Sequence, residues 1–349
     1  MRQPEAEAAL SRIGWTDART ADLPPDTLPA RVSAVHRSRL TAIFADGARP
    51  LATPPGLSTG DIAVGDWIAA QPDAPQAAAL LPRATLLSRR AAGRETRDQL
   101  IAANVDTAFL TTSANADFNE ARLERLLALV HQGGVRPVIL LTKADLCPDP
   151  VAYLDRIAAI APDLSALALT ATDPASVDHL APWTGPGQTV CFLGTSGVGK
   201  STLAGHLARL SLETAPIREA DARGRHTTTA RTLYPLAGGG CLIDTPGMRE
   251  LRLPDVAEGL EATFADVTEL ATHCRFRDCA HEAEPGCAVQ EAIAEGRLDP
   301  VRLDRWRKLQ AEDRHNAASA ADLRAAGRRF GRMVRDAGKH KRRWDASDE

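Results

Sequence analysis

The run Gly194-Thr195-Ser196-Gly197-Val198-Gly199-Lys200-Ser201 fits the pattern G-x-x-x-x-G-K-[ST]. Glycines at these positions let main-chain N–H groups wrap phosphate oxygens, and the lysine meets the β and γ phosphates as a point charge. Ser201 is the expected ligand of Mg²⁺, with Thr202 beside it in the same helical turn. The run follows an apolar stretch, Thr189 to Leu193, and precedes a helical pattern from Lys200 to Leu210. A strand before the loop and a helix after it are what the pattern requires, because the helix N-terminus adds its positive dipole end to the site.

Three further groups fall where a nucleotide pocket needs them. Asp244-Thr245-Pro246-Gly247 follows the apolar run Cys241 to Ile243, so Asp244 can hold a Mg²⁺-bound water and the Gly247 N–H can touch the γ phosphate. Thr142-Lys143-Ala144-Asp145 closes the apolar run Val138 to Leu141. A carboxylate there accepts from guanine N1–H and the 2-amino group together, and the lysine stem lies along the base. The competing reading of this acidic loop is a helix N-cap at Asp145 or Asp149. Thr170-Ala171, at the end of Ser165 to Leu169, offers a main-chain N–H to the guanine oxygen. Arg223-Gly224-Arg225-His226-Thr227-Thr228-Thr229 lies between the phosphate loop and Asp244. A threonine in such a loop completes a Mg²⁺ shell only while the γ phosphate is present; Thr228 is assigned, with Thr227 and Thr229 as alternatives.

A second constellation, Cys274-x4-Cys279-x-His281-x5-Cys287, supplies three sulfurs and one nitrogen, the closed tetrahedral set of a structural Zn²⁺. His273 is an alternative nitrogen ligand. The other cysteines, Cys147, Cys191 and Cys241, sit in apolar surroundings, so the six together read as metal arithmetic and not as a disulfide framework.

These residues must be positioned by several elements. At 349 residues the chain exceeds one ordinary core. Residues 1 to 30 lack sustained periodicity and read as a loosely held arm. Short alternating runs, Val32 to His36, Leu40 to Phe44 and Val64 to Ala69, are broken by Asp46-Gly47, Pro54-Pro55-Gly56 and Gly65-Asp66, which predicts a small all-β unit ending near Arg90. From Val105 onward strand and helix patterns alternate: Val105 to Thr112, Glu120 to His131 stopped by Gly133-Gly134, Pro137 to Leu141, Val151 to Ile160, Ser165 to Thr170. Such repetition predicts a parallel sheet covered on both faces. After Leu253 the strand patterns end, and Gln290 to Glu295, Val301 to Arg314 and Ala317 to Val334 read as helices.

Formal net charge is -3, so the whole chain is no obvious polyanion binder. The charge is unevenly placed: Arg324 to Arg343 carries nine Lys or Arg against one acid, Asp336. Arg275, Arg277, Arg302, Arg305, Arg307 and Lys308 extend this basic region, and Trp306, Phe330 or Trp344 could stack on exposed bases. In the β unit, His36, Arg37 and Arg39 mark a strand turn where barrels of this size meet nucleic acid. No apolar leader opens the chain and no run of about 18 apolar residues occurs, which predicts a soluble cytoplasmic protein with no membrane partner. A monomer is expected.

The base-reading motif precedes the phosphate loop, whereas ordinary GTPases have the reverse order. With this order, the run Leu100-Ile101-Ala102-Ala103-Asn104-Val105-Asp106, the segment Gly224 to Thr229 and the Cys/His cluster, the chain resembles the circularly permuted GTPases, and among them the bacterial ribosome small-subunit-dependent GTPases. The resemblance covers nearly the whole chain. It implies GTP hydrolysis stimulated by the 30S subunit late in its assembly, with 16S rRNA bound by the flanking domains. It also implies His281 as the fourth zinc ligand and His226 as the residue that assists water, a task suited to an imidazole near neutral pH. Met248 stands after the D-x-x-G glycine, where many GTPases carry a water-orienting glutamine, and Thr142 replaces the asparagine usual in N-K-x-D.

The expected protein is therefore α/β: a flexible arm over 1–30, an OB-like β-barrel over 31–92, a circularly permuted P-loop GTPase domain with a parallel-rich sheet over 93–253, and a zinc-binding helical domain with a basic tail over 254–349. Its cofactors are one structural Zn²⁺ and Mg²⁺ with GTP. Lys200, Thr228 and His226 are the expected catalytic groups. Two other functions fit parts of the pattern: an RNA-binding assembly factor holding its nucleotide as a structural ligand, and an ATP-using P-loop enzyme.

Overall fold

In the computed structural model, residues 3–90, 98–212, 231–245 and 256–316 are described. Five short strands build the first unit: β1 (Leu28–Val35), β2 (Leu40–Phe44), β3 (Gly47–Leu51), β4 (Trp67–Ala70) and β5 (Ala79–Leu80). Alternation sets their inner face, as Leu40, Ala42 and Phe44 of β2 point inward onto Ala30, Val32, Leu51 and Ile68. Hydrogen bonding runs β3-β2-β1-β4-β5, and a parallel bridge between Ala52 and Gln76 returns the chain beside β3 to the approach of β5. The sheet is thereby closed as the expected OB-like barrel.

The second unit alternates strand and helix. Its elements are β8 (Thr107–Ser113), α2 (Glu120–Gln132), β9 (Arg136–Thr142), α3 (Pro150–Ile160), β10 (Ala166–Leu169), α4 (Pro174–Val177), β11 (Thr189–Leu193), α5 (Lys200–Leu212), β12 (Thr232–Pro235) and β13 (Cys241–Asp244). The order β10-β9-β8-β11-β13 is parallel throughout, and β12 is antiparallel to β13. Every residue of β11 is buried, as a strand covered on both faces must be. One face packs on α2 through Leu123, Leu126, Leu127 and Val130, the other on α5 through Leu203 and Leu207. The permuted order leaves β12 beside the barrel, where Ala34 of β1 pairs with Thr232.

Between the two units a hairpin of β6 (Leu86–Arg90) and β7 (Asp98–Ala103) forms its own two-stranded sheet. It docks where α2 ends, with the Leu86 N–H donating to the Gly133 carbonyl at 3.0 Å. The boundary expected at 92–93 falls among residues 91–97, outside the described residues, between two strands that pair with each other.

The first residues depart from expectation. Instead of the loose arm expected over 1–30, α1 (Gln3–Arg12) is helical and Leu10, Ile13 and Trp15 are buried in the main core. Trp15 meets Trp67 edge-on at 4.9 Å, and the Arg12 carbonyl accepts from both Gly187 and Gly240. Arg31, itself buried, donates to the carbonyls of Ile13, Gly65 and Asn104, so one guanidinium ties the first segment, the barrel and the following strand together. Three apolar residues are too few to show a period, which is why this segment reads as an arm.

After residue 256 the described chain is helical: α6 (Ala257–Thr263), α7 (Ala265–Thr272), α8 (Ala288–Ala294) and α9, residues 300–316. Close approach seats this unit. A side chain at Gly259 of α6 would place Cβ 2.0 Å from the Ala128 carbonyl of α2, so only glycine allows the two helices to pack this tightly. The basic helix expected over 317–334 lies outside the described residues.

Candidate nucleotide site and metal cluster

The phosphate loop joins β11 to α5 because its glycines take backbone conformations other residues resist. Gly194 has φ +150, and a Cβ there would lie 2.2 Å from the Thr111 carbonyl of the neighbouring strand. Gly199 has φ +93 and faces Thr142 and Ala171. The loop borders a cavity of about 540 Å³. Lining it are Ser196, Gly197, Gly199, Lys200, Ser201 and Thr202 from the loop and α5, Thr142, Lys143 and Asp145 from the end of β9, Ala171 beyond β10, and Asp244 at the end of β13. Four separate stretches of sequence thus converge on one space at the carboxyl ends of parallel strands.

Lys200 donates through Nζ to the Thr195 carbonyl within the loop. Burial holds its ammonium below the ordinary lysine range, opposed by the charge of Asp244. The Asp244 carboxyl is pushed up by burial, against the pull of Lys200 and of the Thr245 N–H. Each group is thus half-buried and charge-complementary to the other, a setting that favours a further anion near the lysine and a cation near the carboxylate. Ser201 and Asp244 both offer hard oxygen donors to the same cavity, a donor set that suits Mg²⁺.

Asp145 and Asp149 separate in role. Asp149 caps α3, accepting from the Ala152 N–H at 3.2 Å, so the helix-cap reading belongs to it. Asp145 lines the cavity instead and accepts from the Thr170 hydroxyl at 3.2 Å. Lys143 takes a left-handed conformation, φ +58, at the start of the short turn Ala144–Leu146. The Thr170 N–H is spent on Ser176 Oγ at 2.9 Å, which leaves Ala171 as the member of that pair facing the cavity. Thr142 is buried, and its hydroxyl sits 2.7 Å from the Val198 carbonyl and 3.0 Å from that of Thr112.

Sequence reasoning missed Leu146, Thr172, Phe192 and Thr245 as wall residues. Thr245 fixes the wall by donating to the Phe192 carbonyl at 2.7 Å, and its place between Asp244 and Pro246 was the available signal. His226, Thr228 and the rest of 223–229 lie outside the described residues, as do Gly247 and Met248.

The four ligand atoms of Cys274, Cys279, His281 and Cys287 lie within 4.8 Å of one another. Cys274 Sγ is 3.9 Å from Cys287 Sγ, and His281 Nδ1 is 3.5 Å from each of these two sulfurs. Tetrahedral Zn²⁺ with Zn–S of about 2.3 Å and Zn–N of about 2.0 Å requires S···S near 3.8 Å and S···N near 3.5 Å, so the cluster has the size of a zinc site. His273 is not part of it: that ring is exposed and turned to the Glu269 carbonyl and the Thr272 hydroxyl.

His281 is held at φ +59. Its carbonyl accepts from Gln290 Nε2 and from Arg307 at 2.6 Å, while its ring packs on Trp306 with centroids 5.7 Å apart. The Glu284 carboxylate gathers the N–H groups of Ala280, Glu282 and Ala283 beneath the loop. Cys191 and Cys241, by contrast, are buried, and burial pushes their thiols up to about 12 and about 11, in Cys241 against the pull of the Arg31 guanidinium.

The basic residues near the cluster need correction. Arg302 is buried and paired with Glu124 at 2.9 Å and Asp266 at 2.6 Å; Arg305 pairs with Glu120 and Glu124; Arg307 is spent on the metal loop; Trp306 is packed on His281. None of these is a free surface cation or stacking platform. Arg275, Phe276 and Arg277 are exposed, and so are His36, Arg37 and Arg39 at the β1–β2 turn. Among the described residues no helix is long and apolar enough to cross a membrane.

The RsgA GTPase family model matches residues 80–254. A small ribosomal subunit biogenesis GTPase RsgA of Mesorhizobium japonicum is 48% identical over 94% of this chain and 96% of its own length. A protein of the same description, RsgA 2 of Vibrio parahaemolyticus, is 45% identical over 96% of this chain and 94% of its own. Among solved structures, YjeQ from Thermotoga maritima superposes with a TM-score of 0.61 at 22% identity, covering 82% of this chain and 98% of that one. YloQ, described as a circularly permuted GTPase, gives 0.59 at 25% identity over 83% and 96%. A phosphate loop downstream of the Thr142-Lys143-Ala144-Asp145 motif, a barrel before it, a Cys3His cluster after it and this degree of identity along nearly the whole chain lead to one conclusion: the protein belongs to the RsgA GTPase family.

Proposed function

We propose that this protein hydrolyses GTP to GDP and phosphate as a late factor in biogenesis of the small ribosomal subunit, working in the cytoplasm, and that the subunit stimulates the reaction. The observation that carries the reading is the cavity shared by Asp145, Lys200, Ser201 and Asp244, because one nucleotide there could meet Asp145 with its base and Lys200 with its phosphates.

In that cavity the main-chain N–H groups of 194–202 and the α5 N-terminus would cradle the phosphates, with Lys200 neutralising charge that grows in the transition state. Asp145 would accept from both donors of the guanine edge, Lys143 and Ala144 would border the base, and the Ala171 N–H would meet the guanine oxygen. Mg²⁺ would supply charge screening between the outer phosphates, held by Ser201 and Thr228 and, through water, by Asp244. Gly247 would donate to the γ phosphate and His226 would orient or deprotonate the attacking water. Zn²⁺ would be held by Cys274, Cys279, His281 and Cys287 and would contribute folding free energy to the loop that these residues close. Exposed Arg37, Arg39, Arg275 and Arg277, with the tail 324–343, would meet 16S rRNA.

The deciding measurement is the GTPase rate alone and with isolated small subunits, large subunits and whole ribosomes. Stimulation specific to the small subunit is expected. No stimulation, together with unchanged turnover in His226→Ala, would favour an RNA-binding factor that holds nucleotide as a structural ligand.

A further inference from the structure

Six charged residues of alternating sign form a continuous chain through the molecule. Arg156 Nε meets Glu120 Oε1 at 2.8 Å; Glu120 Oε2 meets Arg305 Nη1 at 3.1 Å; Arg305 Nε meets Glu124 Oε2 at 2.7 Å; Glu124 Oε1 meets Arg302 Nη1 at 2.9 Å; and Arg302 Nε meets Asp266 Oδ2 at 2.6 Å. The sequence separations are large, so four helices are involved: α3, α2, α9 and α7.

The two ends of this chain differ in what they touch. Arg156 belongs to α3, the helix that begins at Pro150, five residues after Asp145 of the base-reading loop. The other end is Asp266 of α7, and between the two, on α9, the residues following Arg305 are Trp306 and Arg307, which pack on the His281 ring and donate to the His281 carbonyl. Farther along α9, Asp313 accepts from the Val256 N–H at 2.8 Å and Glu312 pairs twice with Arg125 of α2. One helix thus grips the metal loop, α2 and the chain entering α6.

Burial makes the middle of this chain discriminating. Glu124 is fully buried and Arg302 nearly so, and burial pushes the Glu124 carboxyl up against the pull of Arg305 and Arg302. A buried charge without its partner is expensive, so α9 cannot slide along α2 by small steps without breaking the pairing. The joint therefore holds one register, and a displacement of the metal-bearing unit is passed on to α2 and, through Glu120 and Arg156, to α3.

We propose that this ionic chain couples the seating of the metal-bearing unit on its macromolecular partner to the base-reading end of the nucleotide cavity, with Glu120 and Arg156 as positioning residues. The inference rests on the functional reading above, in which the small subunit stimulates GTP hydrolysis. Neither residue lines the cavity or belongs to the metal cluster.

The test compares full-length wild type, Glu120→Gln and Arg156→Gln for unstimulated GTPase rate, small-subunit-stimulated rate, zinc content and melting temperature. Arg156→Gln is the informative variant, because it spares every contact between α2 and α9; it removes the half-exposed pair with Glu120 together with the stacking of the guanidinium on Phe118 and Tyr153, and the melting temperature reads what that stacking contributes to stability. Both variants are expected to keep zinc and unstimulated rate while stimulation falls about fivefold or more, the lower range of a coupling between sites. Wild-type stimulation in both would overturn the proposal. Loss in Glu120→Gln alone would also overturn it, since the chain would then end at α2. A wild type that small subunits do not stimulate would instead overturn the functional reading, and the coupling with it.

Discussion

The Thr142 hydroxyl lies 2.7 Å from the Val198 main-chain carbonyl, binding the end of β9, next to Lys143 and Asp145, to the middle of the phosphate loop. A threonine thereby spans a gap of two elements that must keep fixed spacing if one nucleotide is to touch both. Asparagine is longer, but its tethering capacity is not lost here, because the hydroxyl reaches a carbonyl directly from a buried position.

Replacing Thr142 with valine keeps the shape and removes the donor. The Thr142→Val protein is expected to lose about 1–2 kcal/mol of stability, from a carbonyl left unsatisfied, and to bind GDP several-fold more weakly. Thr142→Ser should retain both properties. Denaturant titration and nucleotide equilibrium binding measure the two effects, and equal GDP affinity in Thr142→Val would show that the tether does not set loop spacing.

Asp145 lines the cavity and accepts from the Thr170 hydroxyl through Oδ1 at 3.2 Å, an arrangement in which Oδ2 can serve recognition. Asp145→Asn should lower GTP affinity by about 10- to 100-fold, the worth of a charged hydrogen bond, while admitting xanthosine triphosphate. Unaltered preference for GTP over ATP and xanthosine triphosphate in this variant would remove Asp145 as base selector.

Charge burial at the cavity has a pH signature in the nucleotide-free protein. The folded carboxyl of Asp244 is raised above its unfolded value, so the folded state binds the extra proton and Asp244 costs stability as pH rises through the carboxylate range to the raised pKa. Asp244→Asn cannot titrate. Its stability relative to wild type should therefore climb across that window and level off above it, as followed by urea midpoints at a series of pH values. A constant difference between the two proteins would contradict the assignment.

The metal cluster makes a compositional prediction and a thermal one. Freshly purified protein should carry about one equivalent of zinc, and Cys279→Ser should lower both content and melting temperature, because binding free energy here is folding free energy. His273→Ala should change neither, since that ring is turned away from the cluster. Elemental analysis with calorimetry distinguishes these outcomes.

The phosphate loop, the Thr142–Asp145 motif beside it in the cavity and the Cys3His cluster are legible because each is a local pattern of particular residues at short, fixed spacing. The barrel and the alternating sheet were legible from periodicity. Charge pairing was not. Arg302 and Glu124 stand 178 residues apart, so nothing beside Arg302 in the chain marks it as an interior ion-pair partner and not a phosphate contact. The same holds for Trp306, whose stacking partner is a metal-loop histidine and not a base. The first helix escaped notice for a related reason: Leu10, Ile13 and Trp15 acquire meaning only against Trp67 and the strands beneath them.

The pairing of Ala34 with Thr232 has a consequence for how the chain avoids its own kind. Without the barrel, β12 would be the outermost strand of the large sheet, and unpaired strand edges recruit other chains. The barrel stands against that edge and shields it. A protein shortened to begin after β5 should therefore self-associate even with its nucleotide cavity intact, so the barrel contributes to solubility.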